Sequence, residues 1–268
     1  MSKTDMLFSD TQPGAAVDSV TIKSPRELGF MKQAGQVVAN VIARLTESVT
    51  SGMTTLDCDV LAEKEIRHLG AVPSFKGYRG FPATICVSIN EQIVHGIPGS
   101  RVIRDGDLVS FDVGAIVNGF HGDAAITLVV GSASGDSGHL IEVTREALNR
   151  GIEAAQPGNR VGDISAAVER FVKPHGYSLV REYVGHGIGR ALHEEPAVPN
   201  YGPSGRGHLL KPGMVIAIEP MVNIGGWRTQ VLEDQWTIVT EDGSLSAHFE
   251  HTVAITESGP VVLTSLAS

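Results

Sequence analysis

The sequence predicts an α+β fold made of two similar halves packed about a pseudo-twofold axis. Two observations carry this: segments of helical period alternate with short β-like runs, and landmarks of the first half recur in order in the second. With a shift of 106 residues, Gly52 falls on Gly158, Asp57 on Asp163, Glu63 on Glu169 and Gly70 on Gly176. With a shift of 107, Gly106 to Asp112 falls on Gly213 to Glu219, so that in each copy a Gly turn leads into an apolar run ending in a carboxylate. Coincidence among common residue types is the alternative, and the ordered series weighs against it.

The elements follow in chain order. Ser24-Pro25-Arg26-Glu27 opens a helix: Ser24 can cap, Pro25 suits the first helical position and Glu27 completes a capping box. Leu28, Met31, Val38, Val41, Ile42 and Leu45 continue it at helical spacing. A second helix is expected over residues 56–69, ended by Gly70. Strands are expected over 83–89, 107–117 and 120–130, helices over about 138–155 and 163–174, and strands again over about 178–184, 214–222, 235–240 and 247–256. Residues 1–20, with Gly, Pro and Ser, read as a mobile tail. Residues 21–268 then form a single catalytic domain with halves at about 21–130 and 131–268.

Composition narrows the function classes. Hydrophobic residues make up 42% and charged residues 19%, an ordinary globular balance. The net charge of -9, without a Lys/Arg cluster, argues against nucleic acid or an anionic membrane as the main partner. Acids gathered around cations would also make such a count negative. No apolar run reaches the ~18 residues of a membrane span, and the first residues lack the apolar core of a signal peptide. Cys58 and Cys86 are too few for a disulfide framework, which favours the cytoplasm.

The sharpest local geometry lies between Asp112 and Asp123. Asn118-Gly119 between two β-like runs is a two-residue hairpin signal. Cross-strand partners then sum to 237, Asp112 lies opposite Ala125, and Asp123 shares that face as a diagonal neighbour. A bulge near Gly122 would break the parity. Two acids so close on an apolar ribbon must share a proton, meet water or bind cations. The second half adds His186 between Gly185 and Gly187, which allow close backbone approach, then Glu219 and Glu250 among apolar neighbours, where an unpaired carboxylate is costly. Four carboxylates and one imidazole form a hard donor set that suits two divalent ions of the Mn, Fe, Co or Zn kind. The Gly185/Gly187/Gly189 spacing is a weak nucleotide-loop signal, and His193-Glu194 does not continue into a helical zinc-protease motif.

At these residues the chain resembles the type I methionine aminopeptidases of peptidase family M24. The match runs from about Ser24 to the C-terminus through Ile85–Asn90, Val94-His95-Gly96-Ile97-Pro98, Phe120-His121-Gly122-Asp123, Gly185–Arg190 with His193–Pro196, Ile218–Met221, Gln235-Trp236-Thr237 and Phe249–Thr252. The resemblance implies the pita-bread fold, with a central, mainly antiparallel curved sheet flanked by helices. It implies that Asp112 chelates one ion, that Asp123 and Glu250 bridge two, and that His186 and Glu219 hold the second. Glu219 would be the general base, His193 would steady the oxyanion and His95 would assist the leaving amine. Outside the resemblance each of these histidines reads equally as a structural, hydrogen-bonded one. The implied substrate is the initiator methionine of a nascent chain with a small second residue, met near the ribosome exit by a monomeric enzyme. The implied pocket is Phe81, Cys86, His95, Leu192, His193 and Trp236, with Tyr78 at its rim. Arg79, Phe81 and Leu192 depart from residues common in the family and touch its side-chain preference. Glu219 and Glu250 are only 31 positions apart, which leaves no room for the type II helical insertion.

Two alternatives stay open. A prolidase or aminopeptidase P on the same fold would carry an N-terminal domain that about twenty residues before Ser24 cannot supply. A non-catalytic binding protein on this fold would have lost ligands that are all present here. Serine or cysteine hydrolysis is weaker: the chain has no Gly-x-Ser-x-Gly elbow, and Cys86 sits in an expected strand without a sign of thiolate activation.

Overall fold

A computed structural model describes residues 20–133 and 135–266. Helix α1 (Pro25–Ser48) starts at the expected capping box, with the Glu27 N–H donating to Ser24 Oγ and the Ser24 N–H to Glu27 Oε2. Helix α2 (Thr55–His68) starts the same way at Thr54 and Asp57. Strands β1 (Val72–Pro73), β2 (Cys86–Ile89), β3 (Gln92–Val94), β4 (Leu108–Val117) and β5 (Phe120–Val129) complete the first half. The second half runs α3 (Ser137–Ala154), α4 (Val161–Val172), β6 (Ser178–Leu179), β7 (Gly185–Gly187), β8 (Glu194–Val198), β9 (Val215–Ile218), β10 (Met221–Asn223), β11 (Thr229–Val231), β12 (Ile238–Thr240), β13 (Ser246–His248), β14 (Glu250–Thr256) and β15 (Gly259–Val262). Of the tail expected over residues 1–20, only Val20 is described, and it packs against the second-half core.

The main sheet has the order β1-β4-β5-β14-β9-β7-β8, with β2 also on β4 and β15 on β14, and every pair in it is antiparallel. The β4–β5 ladder runs in unbroken register from Val117↔Phe120 to Leu108↔Val129, with Asp112 opposite Ala125. Asn118 and Gly119 both take positive φ, 51° and 78°, as a type I′ turn requires. Alternation decides the faces. Phe111, Val113, Ala115 and Ala124 join Val38 and Val41 of α1 and Ala62 and Ile66 of α2 in one core. Asp112 and Asp123 therefore point to the other side of the ribbon. In the second half Ile216 and Ile218 pack with Leu148 of α3 and Ile164 of α4.

Two expected strands are each divided and a third is cut short. The run over 214–222 breaks at Glu219-Pro220, where Pro220 has no N–H to donate. Its first part, β9, lies in the main sheet and its second, β10, in a three-stranded sheet with β13 and β6. The run over 247–256 breaks at Phe249, whose N–H donates to the Pro220 carbonyl oxygen at 3.3 Å: β13 pairs β10, while β14 pairs β9. The ladder thus turns a corner between two sheets, and Glu219 and Glu250 occupy that corner. The run over 178–184 stops at Leu179, and the chain re-enters a sheet only at Gly185. In the first half the strand does not end at its carboxylate, since β4 continues five residues past Asp112 into the hairpin.

Candidate metal centre

Four neighbouring strand positions deliver the acids. Asp112 rides on β4, Asp123 on β5, Glu250 opens β14 and Glu219 follows β9, in the spatial order β4-β5-β14-β9. β7 then sets His186 across from Ala217 of β9. The flanking glycines permit this: a Cβ on Gly185 would lie 2.4 Å from the Ala217 carbonyl oxygen, and one on Gly187 2.1 Å from that of Glu195. All five residues expected as ligands line one pocket. One donor atom each of Asp123, His186 and Glu250 lies within 4.8 Å of the others, and the same holds for Glu219, His248 and Glu250.

The electrostatics demand a counter-charge. Asp123 is 4% and Glu250 2% exposed, and Asp112 Oδ1, Asp123 Oδ1 and Glu250 Oε1 are buried without a hydrogen-bond partner among the described residues. Burial pushes the Asp112 carboxyl up to about 7. Burial, followed by the charges of the neighbouring acids, holds Asp123, Glu219 and Glu250 well above the usual carboxylate range. Burial thus opposes ionisation of all four acids unless cations offset the charge. The orphaned oxygens and the hard donor set fit divalent ions. His186 donates from Nδ1 to the Gly187 carbonyl oxygen at 2.8 Å, which leaves Nε2 as a lone-pair donor 3.6 Å from Glu219 Oε1. Burial lowers its pKa to about 4, so the imidazole is neutral at neutral pH.

The residues expected to meet the substrate surround these donors. Tyr78, Phe81, Cys86, His95, Leu192, His193 and Trp236 all line the same pocket, as does Arg79. Phe81 and Trp236 meet edge to face at 5.1 Å, and His95 sits edge-on to Trp236 at 6.4 Å. Tyr78 Oη lies 2.8 Å from His193 Nδ1, and the His193 ring centroid is 4.3 Å from that of His186. Burial, reinforced by the neighbouring His186 and His95, drives the His193 pKa down to about 2. Burial alone lowers His95 to about 4. The Cys86 thiol, opposite Asp112 on β2, is raised well above its usual range by burial and then by the charges of Asp112 and Asp123, so it stays a neutral S–H.

The sequence reading passed over Phe75, Val94, Tyr183 and Val184 as pocket walls and His248 behind the acids. His248 was within reach of the alternation rule, because it stands two residues before Glu250 in an expected strand. The pocket walls carried no comparable signal, since apolar residues there look like core.

Buried carboxylates and an imidazole at the floor of an apolar pocket define a metal-dependent hydrolase. Residues 29–257 match the model of metallopeptidase family M24. The chain is 53% identical over 245 residues to methionine aminopeptidase 1 of Bacillus subtilis, covering 91% of this chain and 99% of that one. The crystal structure of methionine aminopeptidase from Thermotoga maritima superposes with a TM-score of 0.91 at 46% identity, over 92% of this chain and 100% of the other. A prolidase from Pyrococcus furiosus shares the fold at a TM-score of 0.75 and 26% identity, and the match spans only 66% of its length. The chain belongs to metallopeptidase family M24, among the type I methionine aminopeptidases of bacterial kind. Its architecture is the pita-bread fold of that family.

Proposed function

We propose that residues 21–268 act as one catalytic domain that removes the N-terminal methionine from nascent polypeptides with a small second residue. Two divalent ions would be held by Asp112, Asp123, His186, Glu219 and Glu250. The observation that carries this is the convergence of five donors, Asp123, His186 and Glu250 buried and Asp112 and Glu219 partly so, on a pocket walled by Phe81, Leu192 and Trp236. Asp112 would help hold one ion, His186 and Glu219 the other, and Asp123 and Glu250 would serve both. Bound ions supply Lewis acidity, lowering the pKa of a water and polarising the scissile carbonyl.

The side chains divide the remaining work. Glu219 accepts the proton of the attacking water. In the tautomer proposed for His193 the ring proton is on Nε2, and Nδ1 accepts from the Tyr78 hydroxyl 2.8 Å away. A neutral His193 then offers that N–H to the developing oxyanion, where an imidazolium is not required. His95, which lines the same pocket, meets the scissile amide and assists the departing amine. Phe81, Trp236 and Leu192 give the methionine side chain apolar contact, and the Cys86 sulfur adds a polarisable one. The chain works as a monomer in the cytoplasm, near the ribosome exit, without binding nucleic acid or membrane. Among the described residues no helix is long and apolar enough to cross a membrane.

The test is anaerobic metal analysis coupled to hydrolysis of Met-Ala-Ser and of Ala-Pro peptides. Chelated protein should lose cleavage of Met-Ala-Ser and regain it with Mn or Co. Activity that survives complete metal removal would end the reading, and preferred cleavage before proline would move the chain to the prolidase side of the fold.

A further inference from the structure

Among the described residues His248 is a titratable side chain set against the acids and given no part in the proposed reaction. It is 2% exposed, and its Nε2 is buried without a hydrogen-bond partner among the described residues. That atom lies 3.9 Å from Glu219 Oε2 and 3.8 Å from Glu250 Oε2. The other oxygen of each acid faces elsewhere: Glu219 Oε1 lies 3.6 Å from His186 Nε2, and Glu250 Oε1 is buried and unpaired. Each carboxylate is therefore split, with one oxygen toward His248 and one toward the site where cations would sit. Glu219 and Glu250 line the pocket, but His248 does not, so the imidazole stands behind the acids.

The backbone holds it there. His248 ends β13 opposite Met221 of β10, at the corner where both chains change sheet. Its N–H donates to Thr127 Oγ1 at 2.8 Å, and that hydroxyl donates to the His248 carbonyl oxygen at 2.9 Å. Thr127 belongs to β5 and is itself 2.7 Å from Ser110 Oγ on β4. The first half of the molecule thus clamps the residue that backs the acids of the second.

We propose that His248 is a positioning residue, whose Nε2–H faces the outer oxygens of Glu219 and Glu250 at 3.9 and 3.8 Å and by that attraction fixes the rotamers in which their inner oxygens would meet the ions. This rests on reading those two acids as metal ligands. Groups that hold ligands in place commonly change metal affinity ~10–100-fold when removed.

The test compares wild type with His248→Gln, which keeps an N–H donor of similar reach, and with His248→Leu and His248→Asn, which lack the donor or the reach. Far-UV circular dichroism and thermal unfolding select the folded variants. Titration with Co(II), read by calorimetry and by the visible d–d bands, should show the weaker of two sites loosened ~10–100-fold in Leu and Asn. Gln should stay within about threefold of wild type, with its bands unmoved. Leu and Asn variants that bind Co(II) like wild type would overturn the proposal. So would a folded Gln variant as impaired as Leu, or a strongly paramagnetically shifted His248 ring N–H resonance in the Co(II) protein, which would make it a direct ligand. Wild-type protein that binds no Co(II) would instead defeat the reading of the acids as ligands.

Discussion

The two halves of the molecule close the same turn with the same hydrogen bonds and then part at the strand beside the acids. In the first half the Gly52 N–H donates to the Ile103 carbonyl oxygen at 2.9 Å, and Ile103 donates back to Met53 at 2.8 Å. In the second, Gly158 donates to Leu210 at 2.9 Å and Leu210 to Asn159 at 2.8 Å. Gly52 and Gly158 have φ of 97° and 92°, Gly70 and Gly176 of 77° and 78°, Gly106 and Gly213 of 86° and 91°. The frame is a repeat at atomic detail, and it yields the palindromic order β4-β5-β14-β9 with one acid from each. The outer neighbours differ. β2 brings Cys86, whose buried thiol stays protonated, to β4, while β7 brings the metal-competent His186 to β9. Past the acid, β4 runs on into the hairpin, whereas Pro220 stops β9 and turns the chain into a second sheet. Symmetry accounts for the four carboxylates, and departures from it account for the imidazole and the open corner.

The largest break in the symmetry should come from the two pseudo-equivalent acids. Glu219→Gln should lower kcat on Met-Ala-Ser by roughly 10²–10⁴-fold with KM little changed, the range for loss of a general base. Asp112→Asn should act through metal affinity, with its loss of activity recovered at higher Mn or Co. Steady-state kinetics over a metal titration separates the two. Equal behaviour of both variants would mean that the acids share one role, and an unchanged kcat would remove Glu219 as base.

The same pair makes a stability prediction for the metal-free protein. Asp112 has its folded pKa raised from 3.8 to about 7 by burial, so between those values the folded chain binds more protons than the unfolded one. Stability then falls as pH rises through that window. Asp112→Asn removes the charge, so its advantage over wild type should be near zero at pH 4. It should grow to a few kcal/mol at pH 8, on the order set by ~1.4 kcal/mol per pKa unit. Urea unfolding of the two apoproteins across that range checks it, and a difference independent of pH would show that the carboxyl is ionised freely without metal.

How far the sequence discloses this arrangement depends on how local the determinant is. The hairpin register follows from Asn118-Gly119 alone, because a two-residue turn fixes which residues face each other, and the observed partners sum to 237. The repeat reads from Gly and Asp landmarks because positive φ and capping boxes restrict residue type. Strands β1, β3, β7, β8, β11 and β15 were missed for the opposite reason: each is short and defined by its neighbour rather than by its own period, and β8 carries two glutamates and a proline. The single strands expected over 214–222 and 247–256 failed where the chain changes sheet, since hydrophobic alternation continues through a corner without marking it. His248 was lost in that corner, although its spacing from Glu250 pointed to the same face.

A smaller contrast lies across the centre. His186→Gln, which removes a ligand, should weaken metal binding by more than the ~10–100-fold typical of groups that only hold ligands in place, whereas Cys86→Ser, at the matching outer strand, should leave affinity and turnover within a few-fold. Calorimetric titration with Mn checks both. A Cys86→Ser variant as impaired as His186→Gln would place the thiol among the ligands and restore the symmetry.

The smallest contrast tests the frame itself. Asp57 and Asp163 occupy the same place in α2 and α4, and each accepts the N–H three residues upstream, at 2.8 and 2.7 Å. Asp163 does more: its other oxygen accepts from the Ser204 hydroxyl and, at 2.9 Å, from the Gly205 N–H, tying the loop before β9 to the start of α4. Asp163→Ala should therefore lower Tm by roughly 2–4 °C, as loss of a cap in a chain of this size does, and Asp57→Ala by less. Scanning calorimetry of the metal-loaded variants decides between them. Equal shifts would mean that the Ser204 loop gains nothing from its tether, and that the second half departs from the first only at the strands that build the site.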